Sequence, residues 1–504
     1  MEARAERTAA RLEALSKARP GTQTAEAELD GDVDLGDAAA VAGDCAEVQA
    51  EGQRLLDKAQ GAALESAERE LLFKILRVAR LYLRTRIKGS EAFAQGPALQ
   101  LYLRAGENQA SVGHVASVEG VTCLVNSIYM NPAAYKAFQE IDGGARVLAL
   151  FRAAGSAGKL QRCTRVMNLC IQNQAVSAEK NNSDECRAKL TQMINAYARA
   201  SVACLAYCVR SKTPSRFPGK DRGRVDLVLE ILTLQMLLAS QMKQEDLRSD
   251  DPSEHERDFL TQLGVVLVEL LLVPADLPWA MEVRAKVVTV LTFMPPQYAN
   301  FLSANNALAP ILELLERELH ATLVQGKPDY EVRLTPPLVV LSEAANNSVA
   351  AKTQMKTLLF SEQDELAAKA AKAAAEAEDK ENSDGSKNSA QDSSTEAALP
   401  EGNSSKPGES TARSAGATEG SQKPTNKKNG KQKMDGEHVP PGSLLSFVIK
   451  SMNTPASNTV SRLLGEFMWT LCDNKSDELT RRAGIGNAMG FLQLKGLLNI
   501  PGAQ

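Results

Sequence analysis

The chain runs to 504 residues, of which 43% are apolar and only 4% aromatic, and carries a formal net charge of −4. That apolar share is ample for a continuous core, and the near-neutral balance argues against binding driven by neutralising nucleic-acid phosphates. The four histidines (His114, His255, His320 and His438) are scattered, none lies within a few residues of a cysteine, and no CxxC pair occurs, so spacing gives no zinc site.

Residues 1–20 mix acids with bases and have no apolar core, so no signal peptide is expected there; a short amphipathic helix before Pro20 fits better. The Asp- and Gly-rich stretch 21–44 is expected to be a mobile leader, and 1–60 form an N-terminal helix and leader. The first strong helix is predicted over 71–87, ahead of Gly89. A second over 121–129 stops at Asn131-Pro132, since proline cannot continue a helix, and a third follows the Gly143-Gly144 break. Over 160–172, Cys163, Val166, Met167, Leu169 and Cys170 fall close to the three- and four-residue spacing of an inward face. Residues 225–240 and 259–273 are more apolar still, as suits helices in the middle of a stack. Further helices are predicted over 279–293, before Pro295-Pro296, and over 338–360.

The longest apolar run, 263–273, is interrupted by Glu269 and is too short to span a bilayer. Cys123, Cys163, Cys170, Cys204, Cys208 and Cys472 lie in apolar surroundings. The cysteines are therefore expected to be small buried hydrophobes in a reducing compartment.

From 361 the composition changes. The Ala-, Lys- and Glu-rich sequence to about 380 suits a solvated helical extension. Beyond it, almost no large aliphatic residue and no aromatic occurs, so 361–440 is expected to be a disordered insertion. Ser361 and Ser393 each have an acid three residues on and are weak phosphorylation candidates, and 427–433 is basic. Residues 441–504 form a last helical block.

Turn-forming residues at Ser90, Asn131, Asn173, Pro214, Pro252, Pro296 and Asn347 recur every 38 to 51 residues, and Asn474 falls in step once 361–440 is set aside. A beat near forty with two or three helices per unit predicts an all-α, armadillo/HEAT-like right-handed superhelical solenoid over 61–360, completed by 441–504. Such a stack presents a long groove, so binding is the expected activity.

The last block carries a resemblance. Gly484-Ile485-Gly486-Asn487-Ala488-Met489-Gly490-Phe491-Leu492 resembles the G-Y-G-N-A-A-G-L-L stretch of the synembryn family (resistance to inhibitors of cholinesterase). Glu466-Phe467-Met468-Trp469-Thr470-Leu471-Cys472 is similar to the E-x-L-F-x-L-C helix that precedes it there. Further back, Thr122-Cys123-Leu124-Val125-Asn126 resembles the family's K-C-L-C-N helix, Leu76-Arg77-Val78 its L-R-I-L segment, and 145–151 its L-R-L-L-F helix.

The resemblance implies a chaperone and non-receptor guanine nucleotide exchange factor for heterotrimeric G-protein α subunits. Such a protein binds the GDP form and holds the nucleotide-free state. It would take the α subunit's C-terminal helix in the solenoid groove and contact the GTPase domain through its own C-terminal part. On that basis Arg77, Asn126 and Phe151 are groove candidates, and Gly486 and Asn487 are partner-binding candidates in the last block. A cytoplasmic monomer is implied, brought near the membrane only by its partner, with no cofactor and no covalent catalysis. Two readings remain beside it. One is a generic armadillo scaffold or co-chaperone without exchange activity. The other is an enzyme, for which no nucleophile turn is found. Gly484, Gly486 and Gly490 are not a phosphate loop, having neither a preceding strand nor a following Lys-Ser/Thr. They fit a tight turn between packed helices.

Overall fold

The computed structural model describes residues 38–85, 89–129, 131–181, 183–210, 222–245, 254–326, 329–384, 439–452 and 458–497. Among these, every regular element is a helix and no strand forms. The fold is an all-α solenoid. The chain divides into two compact units, 1–355 and 356–504.

In the first unit, α1 (Ala38–Gly61), α2 (Ser66–Thr85) and a short 3₁₀ turn (Ser90–Ala94) precede α3 (Gly96–Glu107), α4 (Gln109–Val112) and α5 (His114–Ile128). Next come α6 (Pro132–Glu140), α7 (Gly143–Ala153), α8 (Ala157–Asn181), α9 (Asp184–Arg210) and α10 (Arg222–Glu245). The series ends with α11 (Glu254–Leu271), α12 (Ala280–Leu291), α13 (Tyr298–Ala304), α14 (Leu308–Gln325) and α15 (Tyr330–Asn347). One long helix from each repeat stacks on its counterpart in the next: α2 on α5, α5 on α8, α8 on α10, α10 on α12 and α12 on α15. This ladder is the spine of the unit. The remaining helices pack against its rungs, as α3 does on α5 and α9 on α8.

The periodicity builds the rungs. In α8, Cys163, Val166, Met167, Cys170 and Ile171 keep the inward spacing and are buried. The helix α10 is long and apolar enough to cross a membrane, yet it is packed between α8 and α12 as a central rung. Close packing of α5 on α3 depends on Gly120. A Cβ there would lie 2.8 Å from the Tyr102 carbonyl oxygen and 2.9 Å from Ala105 Cβ.

Several boundaries differ from the sequence expectation. Helix α1 covers 38–44, part of the expected mobile leader, because Val41, Cys45, Leu55, Leu56 and Ala59 form a buried stripe against α2 and α3. Asn173 does not end a helix: its Nδ2 donates to the Leu169 carbonyl one turn back (2.8 Å), and α8 continues to Asn181. The predicted helix over 338–360 is two helices, parted at Ser348, whose Oγ accepts from the Ala351 N–H (3.2 Å) and so caps the second. The first of them starts earlier than expected and contains Pro336 and Pro337. Pro214 and Pro252 lie outside the described residues.

The helix α16 (Val349–Asp384) contains the division between the units. Its course to Asp384 agrees with the helical extension expected to about 380, and it makes 361–384 helical within the stretch 361–440 that is expected to be disordered. Gln363 is buried there, so this turn has packing of its own. Ser393 and the basic 427–433 lie outside the described residues. The second unit continues with α17 (Leu444–Met452), α18 (Asn458–Leu471), α19 (Ser476–Ala483) and α20 (Ile485–Leu494). At Gly465, in α18, a Cβ would collide with the Phe491 ring of α20.

Because a backbone oxygen blocks the space beside Gly120, Gly120→Ala is expected to lower stability by about 1–3 kcal/mol through overpacking. The check is the shift in urea midpoint. An unchanged midpoint would show that the α3–α5 contact yields at no cost.

Candidate functional site

The ladder rungs carry a polar stripe on one face. On α2, Arg77 and Arg80 are spaced i, i+3, which puts them side by side on the helix surface. On α5 the same face carries Glu119, Thr122 and Asn126, and on α8 Arg162, Arg165 and Asn168. Arg80 Nε lies 2.6 Å from Glu119 Oε1, an ion pair without hydrogen-bond alignment. Burial raises the Glu119 pKa, and Arg80, Arg77 and Arg162 act against that rise. Burial lowers the Arg162 pKa, helped by the like charge of Arg165, while Glu230 opposes it.

The stripe continues to α10. Glu230 accepts from Arg165 Nε (2.8 Å) and from Asn168 Nδ2 (3.2 Å). From α12, Lys286 faces the same carboxylate, and burial lowers its pKa although Glu230 raises it. Arg222, also on α10, is held by Glu282 and Asp226. The α2–α5–α8 end therefore gathers the guanidinium groups of Arg77, Arg80 and Arg162 around one buried carboxylate, Glu119, while Arg165 pairs with Glu230. Asn168 Oδ1 and Arg162 Nε are buried there and find no hydrogen-bond partner among the described residues.

The structure places the expected residues unevenly. Arg77 and Asn126 are half-buried on this stripe, on adjacent rungs. Phe151 is not on it: at 3% exposure it belongs to the core, which withdraws it as a groove residue. Arg80, Glu119, Arg162, Arg165, Asn168 and Glu230 were missed. Their signal was present as polar residues at three-residue spacing on otherwise apolar helices.

In the second unit, Arg482 is the buried centre. Its Nη1 and Nη2 donate to the two Asp364 carboxylate oxygens (2.6 and 3.2 Å), and its Nε donates to Glu478 Oε1 (2.9 Å). The guanidinium lies 4.3 Å above the Phe360 ring, and Gln363 Nε2 donates to the Arg482 carbonyl (3.1 Å). These bonds join α16 to α19. Gly484 follows at φ 80°, a left-handed conformation that glycine adopts without strain, and turns the chain into α20. The tight-turn reading thus holds at Gly484, but Gly486 and Gly490 are exposed positions within α20. Asn487 Nδ2 donates to the Ala483 carbonyl (2.8 Å), which fixes the start of that helix. Ile485, Met489, Leu494 and Leu497 are exposed nearby. Among the described residues, no group of three or more His, Cys, Asp or Glu is placed to hold a metal ion.

Fold and stripe together define an all-α solenoid with one polar face rich in cationic groups. The sequence model of the family described as guanine nucleotide exchange factor synembryn matches residues 438–504, which hold α17 to α20. No curated protein matches the chain. Among solved structures, the chain is similar to an engineered protein at 10% identity, over 89% of this chain and 94% of that one, with a TM-score of 0.37.

Hydrogen bonds from Arg481, and secondarily from Arg482, hold the Glu478 pKa down at about 2 against the desolvation that raises it. An unfolded glutamate titrates near about 4.3. The folded pKa is the lower one, so this stabilisation is complete above about pH 5 and is lost as the pH falls towards 2. The thermal midpoint of the wild type should therefore fall more steeply between pH 5 and pH 2.5 than that of Glu478→Gln. Parallel curves would remove Glu478 from the pairing.

Proposed function

We propose that this chain is a synembryn-type guanine nucleotide exchange factor and chaperone for heterotrimeric G-protein α subunits. The observation that carries the reading is the family match over 438–504, which contains both motifs of the resemblance, 466–472 and 484–492. The ladder stripe supports it independently. Half-buried guanidinium and amide groups on consecutive rungs suit an amphipathic partner helix, whose carboxylates and terminal backbone groups they satisfy.

Exchange of this kind needs no covalent step. The protein binds the nucleotide-free conformation of the α subunit more tightly than the GDP-bound one. By linkage, the same coupling free energy weakens GDP. The protein acts in the cytoplasm as a monomer, without a cofactor, and meets the membrane only through its partner. In this reading the stripe engages a helix of the α subunit, with Arg77 and Asn126 among its contacts. The last block contributes the family-specific part of the interaction.

The test is GDP release from a purified α subunit with and without the protein, followed by gel filtration in the absence of nucleotide. Faster release and a stable nucleotide-free complex are expected. Binding without faster release would leave an armadillo scaffold or co-chaperone, and failure to bind any α subunit would overturn the assignment.

Within that assay, Arg77→Ala and Asn126→Ala should each weaken complex formation roughly tenfold, which corresponds to about 1.4 kcal/mol. Phe151→Leu should leave affinity unchanged and act on stability alone, because its ring is in the core. Affinity unaffected by both Arg77→Ala and Asn126→Ala would take the stripe out of the interface.

A further inference from the structure

A cleft of about 480 Å³ opens between the α6–α7 hairpin and helices α8 and α9. That volume is in the range that holds a small organic molecule. None of the stripe residues lines it, so it is separate from the stripe. Phe138, Leu148 and Met193 make its apolar walls, and Met193, half-buried on α9, has the flexible side chain that adjusts to what it meets. Tyr135 and Tyr197 also line the cleft, and both hydroxyls are spent on the protein. Tyr197 donates to the Gly144 carbonyl (3.3 Å) and Tyr135 to the Cys170 carbonyl (3.2 Å).

Two polar groups of the lining are left open. The first is an amide fixed in place: Gln174, 2% exposed, accepts from Gln139 Nε2 (2.8 Å) and donates one N–H to the Cys186 carbonyl (3.1 Å). Its second N–H has no acceptor among the described residues. Cys186 and Cys204 are only half-buried, against the burial expected of the cysteines, and Cys186 serves here through its carbonyl. The second open group is Asp142, at the exposed rim. It stands at φ 53°, a left-handed conformation that is sparsely populated outside glycine, and it makes no cap hydrogen bond to α7. No cation pairs with it among the described residues, and the nearby cations are taken: Lys189 by Glu185 (2.9 Å) and Arg146 by Glu107 (2.6 Å). Burial raises the Tyr197 pKa, and the Asp142 charge is close enough to add to the rise.

We infer that this cleft binds a small arylalkylammonium compound. Its cation pairs with Asp142, its ring lies between Phe138, Leu148 and Met193, and an acceptor on the ring meets the Gln174 amide. Each part answers a group that the protein leaves open. With Lys189 already paired, the rim carries the uncompensated charge of Asp142 and so selects a cation over an anion. The apolar walls give no partner to a small hydrated ion, which an organic cation with an aromatic body does not require. The spare N–H of a buried amide is costly unless it meets an acceptor, and a phenolic oxygen supplies one. A residue kept in a sparsely populated conformation is also characteristic of ligand clamps. The inference does not depend on the exchange reading, since it involves no protein partner.

The probe is tyramine, which combines an ammonium group, a ring and a phenolic oxygen, titrated against the full chain by ligand-observed NMR. Saturable binding is expected with a Kd of about 100 µM, as suits a ligand of this size. The uncharged analogue 4-ethylphenol should bind roughly tenfold more weakly, because it lacks the charge-assisted bond. Asp142→Asn removes the charge and keeps a residue that tolerates the left-handed backbone. It should weaken tyramine roughly tenfold and leave 4-ethylphenol unchanged. Ala145→Trp, at an exposed lining position on α7, fills the mouth and should abolish binding of both compounds while the thermal midpoint stays near that of the wild type. The inference is overturned if the wild type shows no saturable binding, or if tyramine and 4-ethylphenol bind equally well. Tyramine affinity unchanged in Asp142→Asn, or in folded Ala145→Trp, overturns it too.

Discussion

The constraint on which the first unit depends is the stacking of one long helix per repeat on the next. Each rung is buried on two sides, so its apolar stripe is wide, and α10 is apolar enough to pass for a membrane span. Polar groups that remain on such rungs cannot be fully hydrated. They have to find partners on the adjacent rung. Arg80 with Glu119, and Arg165 and Asn168 with Glu230, meet that demand. The pairs add little net stability, since desolvation offsets most of the Coulomb attraction. They fix register instead, because sliding one rung would strand a charge against apolar neighbours.

The second unit applies the same logic at a single point. Arg482 has two carboxylates, an amide and an aromatic face as partners, all drawn from α16 and α19. Planar, bidentate pairing is a property of guanidinium that an ammonium group lacks. Asp364 and Glu478 are partly hydrated, so the pairing works less through charge strength than through the fixed geometry of its donors. The sequence motifs of the family flank this arginine on both sides. Its side chain joins α19 to α16.

The fold was largely legible in the sequence because helical periodicity and breakers are local signals. Asn131 with Pro132 opens α6, and Pro295 with Pro296 lies between α12 and α13, although Pro336 and Pro337 stand within α15. The failures have physical causes. Helix α1 hid because its stripe is diluted by Ala, Gly and Asp. Asn173 reads as a breaker in the sequence, although an Asn amide satisfied by the carbonyl one turn back is tolerated in mid-helix. The site was less legible. Arg165 and Glu230 are 65 residues apart, and no local pattern announces their pairing. Arg77 and Asn126 entered through the family resemblance, whereas Phe151 shows the hazard of that route: an aromatic residue in a matching helix fills the core as readily as a groove.

The unmet groups on the stripe carry the argument about binding further. Asn168 Oδ1 and Arg162 Nε are buried and find no hydrogen-bond partner among the described residues. A buried polar atom left unpaired costs about 1–3 kcal/mol. A surface whose purpose was only to hold the rungs together would gain by replacing such residues with apolar ones of similar volume. Here they stand beside groups whose pKa burial already shifts, Arg162 and Glu119, on adjacent rungs. A partner helix that offers a carboxylate or a terminal backbone group to these atoms recovers the cost on binding. Part of such a partner's affinity would then come from satisfying groups that are unpaired in the free protein. Because the recovery requires donors and acceptors in fixed places, it discriminates between partners more sharply than an apolar groove would.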